Sequence, residues 1–314
     1  MVAVGGGTGL PTVLAGLAEH PEVSLTAVVT MSDDGGSSGR LRRARGLPPP
    51  GDVRNCLVAL AGAGQPLGRL FQHRFRGPGA LRGHSLGNLV LAGATERTGD
   101  FLAAVEVAGN CLGSRGRVLP CTLDPVQLVA QREGNPPVRG QRWLARGRGR
   151  VRRVWLEPRD AVTAPGVLRA LVAADVIVLG PGSLYSSVLP PLLVEGVAEA
   201  IQSSRALRIW VGNLVTQPGE TEGMDAADHV RAVHAHAGAV LDVALLHGAP
   251  LPADLQDRYE RDGAGALALD RRALRSECVV PHLRDLVAPG PRARHEPRKL
   301  AAAVLELANR GGTA

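Results

Sequence analysis

At 314 residues, 45% hydrophobic but only 3% aromatic, the chain has room for a large α/β core built mainly of Ala, Val and Leu. A net charge of +7 raises nucleic acid as a partner, yet Lys299 is the only lysine, and the densest basic run, Arg139–Arg153, carries the single aromatic Trp143. That run reads as an exposed hairpin rim, and nucleic acid ranks last among partners. No apolar run approaches the roughly 18 residues of a membrane span, which argues against a membrane protein. A first strand starting at Met1 leaves no space for a targeting segment, so the expected location is the cytoplasm.

The pattern opens with a strand, Met1–Val4, that empties into Gly5-Gly6-Gly7-Thr8-Gly9, followed by a helix over Leu10–Ala18 with Pro11 in its first turn. A second strand, Leu25–Thr30, ends in Ser32-Asp33-Asp34-Gly35-Gly36-Ser37-Ser38-Gly39-Arg40. Two such strand ends describe a phosphate or nucleotide pocket: glycines let a ligand approach the backbone, and helix-start N–H groups attract an anion. A Pro-rich turn then leads to Asp52, displayed with Arg54 and Asn55 at the start of a helix running to Ala61. Helices are expected from His84 through Thr95 and over Phe101–Leu112, and the Arg-rich stretch Val118–Val154 reads as an antiparallel excursion.

The run Ala174–Leu179 returns to the first pattern, a buried strand ending in Gly180-Pro181-Gly182-Ser183. A crossover helix over Leu192–Ser203 precedes a strand, Arg208–Leu214, that delivers Asn213, Thr216, Gln217, Glu220 and Thr221 to the same edge. A helix at Asp228–Ala237, a strand at Val240–Leu246 and a closing helix at Arg298–Ala308 complete the chain. The expected architecture is a single Rossmann-like α/β domain over 1–314: a doubly wound, mainly parallel sheet with helices on both faces and a β-rich subdomain at about 118–154.

Asp33 and Asp34 are candidate ligands for a ribose or a divalent metal, with helix capping as the plainer alternative. Ser37, Ser38 and Arg40 suit phosphate oxygens. His84 and Asn88 lie one helical turn apart and can face one cleft, with His84 a candidate general base. The glycine loop lacks the Gly-Lys-Ser/Thr ending of a phosphate-hydrolysing P-loop. Cys56, Cys111, Cys121 and Cys278 form no CxxC pair and read as buried reduced thiols.

Six motifs in order make the chain similar to a known family. They are GGGTGL (Gly5–Leu10), SDDGGSSGRLR (Ser32–Arg42), PPGDVRNCLVALA (Pro49–Ala61), GHSLGNL (Gly83–Leu89), GPGSLYSSVLP (Gly180–Pro190) and NLVTQPGET (Asn213–Thr221). With Arg294–Ala301 at the end, the chain resembles the gluconeogenesis factor family, bacterial relatives of 2-phospho-L-lactate transferase. The resemblance implies a Rossmann-like fold, a cytoplasmic role in cell shape during gluconeogenic growth, and binding of a nucleotide sugar of the UDP-N-acetylglucosamine type without established turnover. It also implies that Tyr259 and Arg294 match positions associated with the sugar-nucleotide site.

The transferase relatives use magnesium, which makes Mg2+ a candidate cofactor held by Asp33 and Asp34. Where those relatives carry Gly-Pro-Ser-Asn-Pro, this chain has Gly180-Pro181-Gly182-Ser183-Leu184, so their deazaflavin activity is not carried over. The leading expectation is a binding and regulatory protein: Gly6, Gly7, Thr8, Gly9, Gly180, Pro181, Gly182 and Ser183 cradle a diphosphate, and Asn213 and Thr216 complete the wall. The rival is a magnesium-dependent transferase acting on a nucleoside-diphosphate-linked donor, with Asp52 and His84 as catalytic candidates. A homodimer suits such a fold, and no protein partner is assigned.

Overall fold

The computed structural model describes residues 1–62, 64–144, 147 and 149–311. Arg146 and Arg148 of the basic run lie outside them. The first half of the chain is β1 (Val2–Gly5), α1 (Gly9–Leu17), β2 (Thr26–Val29), α2 (Gly36–Arg45), α3 (Gly51–Ala61), α4 (Pro66–Gln72), α5 (Leu86–Thr98), α6 (Phe101–Leu112) and β3 (Arg117–Pro120). An excursion follows: β4 (Gln127–Arg132), β5 (Val138–Arg139), the single turn α7 (Gln141–Leu144) and β6 (Val151–Glu157).

The second half holds α8 (Val167–Val172), β7 (Val176–Leu179), a π-helical turn at Leu184–Val188 running into α9 (Leu189–Leu192), then α10 (Val197–Ser203) and β8 (Leu207–Val211). It closes with α11 (Ala226–Ala237), β9 (Val243–His247), α12 (Ala253–Arg261), α13 (Arg271–Ser276), β10 (Val280–Arg284) and α14 (Pro297–Gly311).

Seven strands form one sheet in the order β10-β9-β8-β7-β1-β2-β3, and every pairing in it is parallel. The chain moves outward from β1 to β3, then restarts on the other side of β1 at β7. With right-handed crossovers that reversal sends the two sets of helices to opposite faces. Accordingly α1 packs with α3 and α14, whereas α9 packs with α10 and α11, and α11 with α13. The central strands are fully buried, Val4, Val28, Ile177 and Leu179 having no exposed area, which is why they read as unbroken apolar runs.

Three details differ from the sequence reading. The excursion is a three-stranded antiparallel sheet, β5-β4-β6, reaching Glu157. Val118 is not part of it: it lies in β3, paired in parallel with Ala27 at the edge of the main sheet. The stretch after Asp34, to which the sequence assigns no helix span, winds into α2 with Gly35 at its N-cap and Gly46 closing it in the left-handed conformation. Two glycines and a row of arginines within it hide that helix, because its stability comes from burying Ser37, Ser38, Gly39 and Leu41 rather than from an apolar stripe.

Two further elements are refined. The crossover helix expected over Leu192–Ser203 starts only at Val197, as α10, Leu192 being the last residue of α9; α4 is an unanticipated short helix. All four cysteines are free; Cys56 and Cys121 are buried, but Cys111 and Cys278 are exposed. Burial alone drives the Cys121 thiol up to about 12. Among the described residues no single helix is long and apolar enough to cross a membrane. The one bent pair that passes by composition, Leu184–Leu192 with Val197–Ser203, is largely buried within the fold.

Candidate functional site

In an open parallel sheet the ligand crevice lies beyond the carboxyl ends of the strands where the order reverses, here between β1 and β7. Both strands end in glycine loops, and these two loops touch. A Cβ on Gly9 would stand 2.0 Å from the Pro181 carbonyl oxygen, so only glycine permits the approach. Gly6 is equally constrained, since a Cβ there would meet Thr30 Cγ2 at 2.2 Å and Asp52 Oδ2 at 2.8 Å. Thr8 is the N-cap of α1 but makes no side-chain cap, which leaves first-turn N–H groups facing a cleft of about 410 Å3.

The cleft is lined by Gly6–Gly9 and Thr12 on one side and by Pro181–Ser183 and Ser187 on the other. Asn213 and Gln217 follow β8, Arg294 and His295 precede α14, and Gln141 enters from the antiparallel excursion. Asn213 does more than fill the wall: its Oδ1 accepts the Gly182 N–H at 3.2 Å and so holds the second glycine loop.

A polar network stands behind the first loop. Asp52 Oδ2 accepts the Gly7 N–H at 2.8 Å, tying the start of α3 to the glycine loop. Burial, outweighing that bond, raises the Asp52 carboxyl to about 6, with nearby Asp33 adding to the rise. Buried Arg54 donates to Asn88 Oδ1 (2.8 Å), to the Ser85 hydroxyl and to Asn55 Oδ1 (2.7 Å). Asn88 Nδ2 donates to Ser37 Oγ at 3.0 Å, and Ser37 meets His84 Nδ1 at 2.9 Å. Burial, with Arg40 nearby, lowers the His84 imidazole below its ordinary value and favours a neutral ring at pH 7. Ser38 Oγ accepts the Gly51 N–H, and Arg40 donates to the Arg82 carbonyl.

The anticipated residues therefore divide. Gly6, Gly7, Thr8, Gly9, Pro181, Gly182, Ser183, Asn213 and Arg294 line the cleft. Asp52 bonds the cleft's first loop and feels the charge of Arg54, whose bonds to Asn55 and Asn88 continue through Ser37 to His84. Thr216 turns instead to Gly265, whose N–H it accepts at 3.0 Å, and Gly180 continues the sheet ladder through its N–H to Val4. Tyr259 stands behind the wall: its hydroxyl accepts the Ala293 N–H at 3.2 Å, fixing the segment that carries Arg294. Thr12, Gln141, Ser187 and His295 were not anticipated as site residues. Thr12 alone had a local signal, one turn beyond the glycine loop; the others reach the cleft only through the fold.

For magnesium, the described residues offer no group of three or more His, Cys, Asp or Glu side chains converging on one point. Mg2+ commonly takes only one or two carboxylates together with substrate phosphates and water. Asp34 Oδ1 is buried without a hydrogen-bond partner among the described residues, while Asp33 Oδ1 accepts the Gly35 N–H at 2.9 Å. This pair fits that looser mode and not an all-protein cage.

The excursion is fastened to the loop after β8 by Arg132, only 4% exposed, which donates to the carbonyls of Leu144, Gly149 and Gly219. Beside it, burial raises Glu220 to about 7 despite the Ser186 hydroxyl and the Arg132 charge. A carboxyl raised in the folded state binds its proton more tightly there than when unfolded. Its stabilising effect is complete below about pH 4.5 and is lost as pH rises through about 7. Comparing wild type with Glu220→Gln in urea, we expect the stability difference to move in favour of the variant by roughly 2–3 kcal/mol between pH 5 and pH 8. A difference independent of pH would assign Glu220 an ordinary carboxyl.

The fold and cleft define a doubly wound α/β protein with a glycine-lined crevice at its switch point. The chain belongs to the 2-phospho-L-lactate transferase CofD family, whose model matches residues 1–287. It is 43% identical to the gluconeogenesis factor of Halalkalibacterium halodurans, covering 98% of this chain and 95% of that protein. It is 40% identical to the gluconeogenesis factor of Bacillus subtilis, covering 96% of each. A crystal structure of a UPF0052 family member from Bacillus halodurans superposes with a TM-score of 0.93 at 43% identity, over 97% of this chain and 98% of that one.

Proposed function

We propose that this protein binds a nucleotide sugar of the UDP-N-acetylglucosamine type in the switch-point cleft. In this reading it acts in the cytoplasm as a regulatory protein supporting cell shape during growth on gluconeogenic carbon. One observation carries the reading: an uncapped helix start and a second glycine loop meet at the switch point, where an anion has N–H groups to face and backbone to approach. The first turn of α1 and the Pro181–Ser183 loop hold the diphosphate, Arg294 adds charge, and Asp33 with Asp34 hold ribose hydroxyls or Mg2+. A bound Mg2+ would neutralise phosphate charge.

Calorimetry with UDP-N-acetylglucosamine should show saturable binding, weakened about tenfold or more in Asp34→Ala through loss of a charged acceptor. Indifference to every UDP-sugar would overturn the reading. A second reading, a magnesium-dependent transferase, is favoured by Asp52: a carboxyl poised near pH 6 and bonded to the glycine loop suits proton transfer. Recovery of the ligand intact after incubation with Mg2+ and a panel of acceptors supports binding alone; cleavage of the donor supports transfer. A homodimer is part of the same proposal, measurable by light scattering.

A further inference from the structure

Glu220 is buried where three segments that line the cleft come together. Its own loop, after β8, carries Gln217; the π turn at Leu184–Val188 carries Ser187; the excursion carries Gln141. From the π turn, Ser186 Oγ lies 3.3 and 3.4 Å from the two carboxyl oxygens. From the excursion, Arg132 acts on the carboxyl with its charge and donates to the carbonyl of Gly219, the preceding residue, at 2.5 Å. The same guanidinium holds the excursion's Leu144 and Gly149 carbonyls. Tyr185 of the π turn is a further ionisable group beside Glu220, with Arg150 and Asp228 acting on its phenol in turn.

Neutral and ionised Glu220 make different demands on these neighbours. A protonated carboxyl and a hydroxyl satisfy each other with one hydrogen bond. A carboxylate offers about four acceptor sites, and Ser186 brings a single proton to them over a long contact. The charged donor at hand is Arg132, already committed to three carbonyls. Burial keeps the balance on the neutral side up to about pH 7. Above it, the carboxylate and the excursion carbonyls compete for one guanidinium.

We propose that Glu220 and Arg132 form a proton-controlled latch behind the cleft. With the carboxyl neutral, Arg132 ties the excursion to the loop after β8, and the three segments close on the ligand. With it ionised, the guanidinium turns to the carboxylate, the excursion loosens and affinity falls. Glu220 is a positioning residue in this scheme and acts without touching the ligand. The latch deepens the nucleotide-sugar reading and rests on it. Because binding selects the neutral form, the bound protein holds the proton more tightly than the free one, and binding above about pH 7 takes up a proton.

The test is calorimetry on the full chain with UDP-N-acetylglucosamine, whose diphosphate is esterified at both ends and keeps its charge near neutral pH. Wild-type affinity should fall about five- to tenfold from pH 6.5 to pH 8, following the neutral fraction of a group that titrates near 7. Asp52, raised to about 6, is largely ionised across that window. At the upper pH the measured heat should depend on the buffer's ionisation enthalpy, as uptake of about one proton requires. Glu220→Gln cannot ionise, so its two affinities should agree within about twofold, with no proton taken up. Ser186→Ala removes a hydroxyl that favours the ionised form and should move the midpoint up by roughly 0.5–1 pH unit. A wild-type affinity that is flat or rises over the window, or a fall that persists in Glu220→Gln, would overturn the latch while leaving nucleotide-sugar binding in place. Failure of the wild-type chain to bind any UDP-sugar at either pH would instead remove the reading on which the latch rests.

Discussion

Gly9→Ala is expected to abolish ligand binding and to lower stability by about 3 kcal/mol or more, the upper range for forced overpacking. The added carbon would lie 2.0 Å from the Pro181 carbonyl oxygen and 2.6 Å from its carbon. Both are backbone atoms at the end of a central strand, and neither can swing aside as a side-chain tip does. Relief therefore requires the two glycine loops to part, which is the geometry the cleft depends on. Gly93→Ala is the control: it lies within α5 with nothing within 4 Å of its added carbon, so it should be neutral or gain up to about 1 kcal/mol. Thermal unfolding and calorimetry on both variants check the pair. Normal nucleotide-sugar affinity in Gly9→Ala would show that contact between the loops is dispensable.

Arg132→Met should loosen the excursion by roughly 3 kcal/mol, because buried carbonyls lose charge-assisted donors that methionine cannot replace. The side chain binds Leu144 and Gly149 on the excursion and Gly219 on the loop after β8, the last at 2.5 Å. Gln141 on the excursion and Gln217 on that loop both line the cleft. Faster amide exchange is expected over 138–157 and 217–223, with weaker ligand affinity but little change in the central strands. Arg132→Lys should rescue little, since one ammonium cannot fork to carbonyls on separate segments. Exchange unchanged in both stretches would show that the excursion is held by its apolar packing alone.

Much of the cleft was legible locally. Strand, glycine loop and helix start are consecutive in sequence at Val2–Leu17, and buried apolar runs ending in glycine identify β1 and β7 without reference to the rest of the chain. Asp52 was legible as a displayed residue, because the prolines before it stiffen the approach to a helix start. Its bond to Gly7, 45 positions away, was not. The same holds for His84, which one sequence reading made a general base and the fold engages with Ser37.

What the sequence by itself determined is the set of parts: apolar runs long enough for buried strands, glycines where backbones must approach, and polar groups at the ends of those runs. Local sterics and hydropathy act over a few residues, so such parts declare themselves. Only the tertiary structure decided their arrangement. The sheet order sets β7 and β2 on either side of β1, bringing the Pro181 carbonyl against Gly9 and Asp33 near Asp52. The excursion swings Gln141 to the cleft, and Tyr259 acts on Arg294 through the backbone of Ala293. These relations depend on contacts between residues far apart in sequence, chosen by burial of the whole core, and no local pattern encodes them.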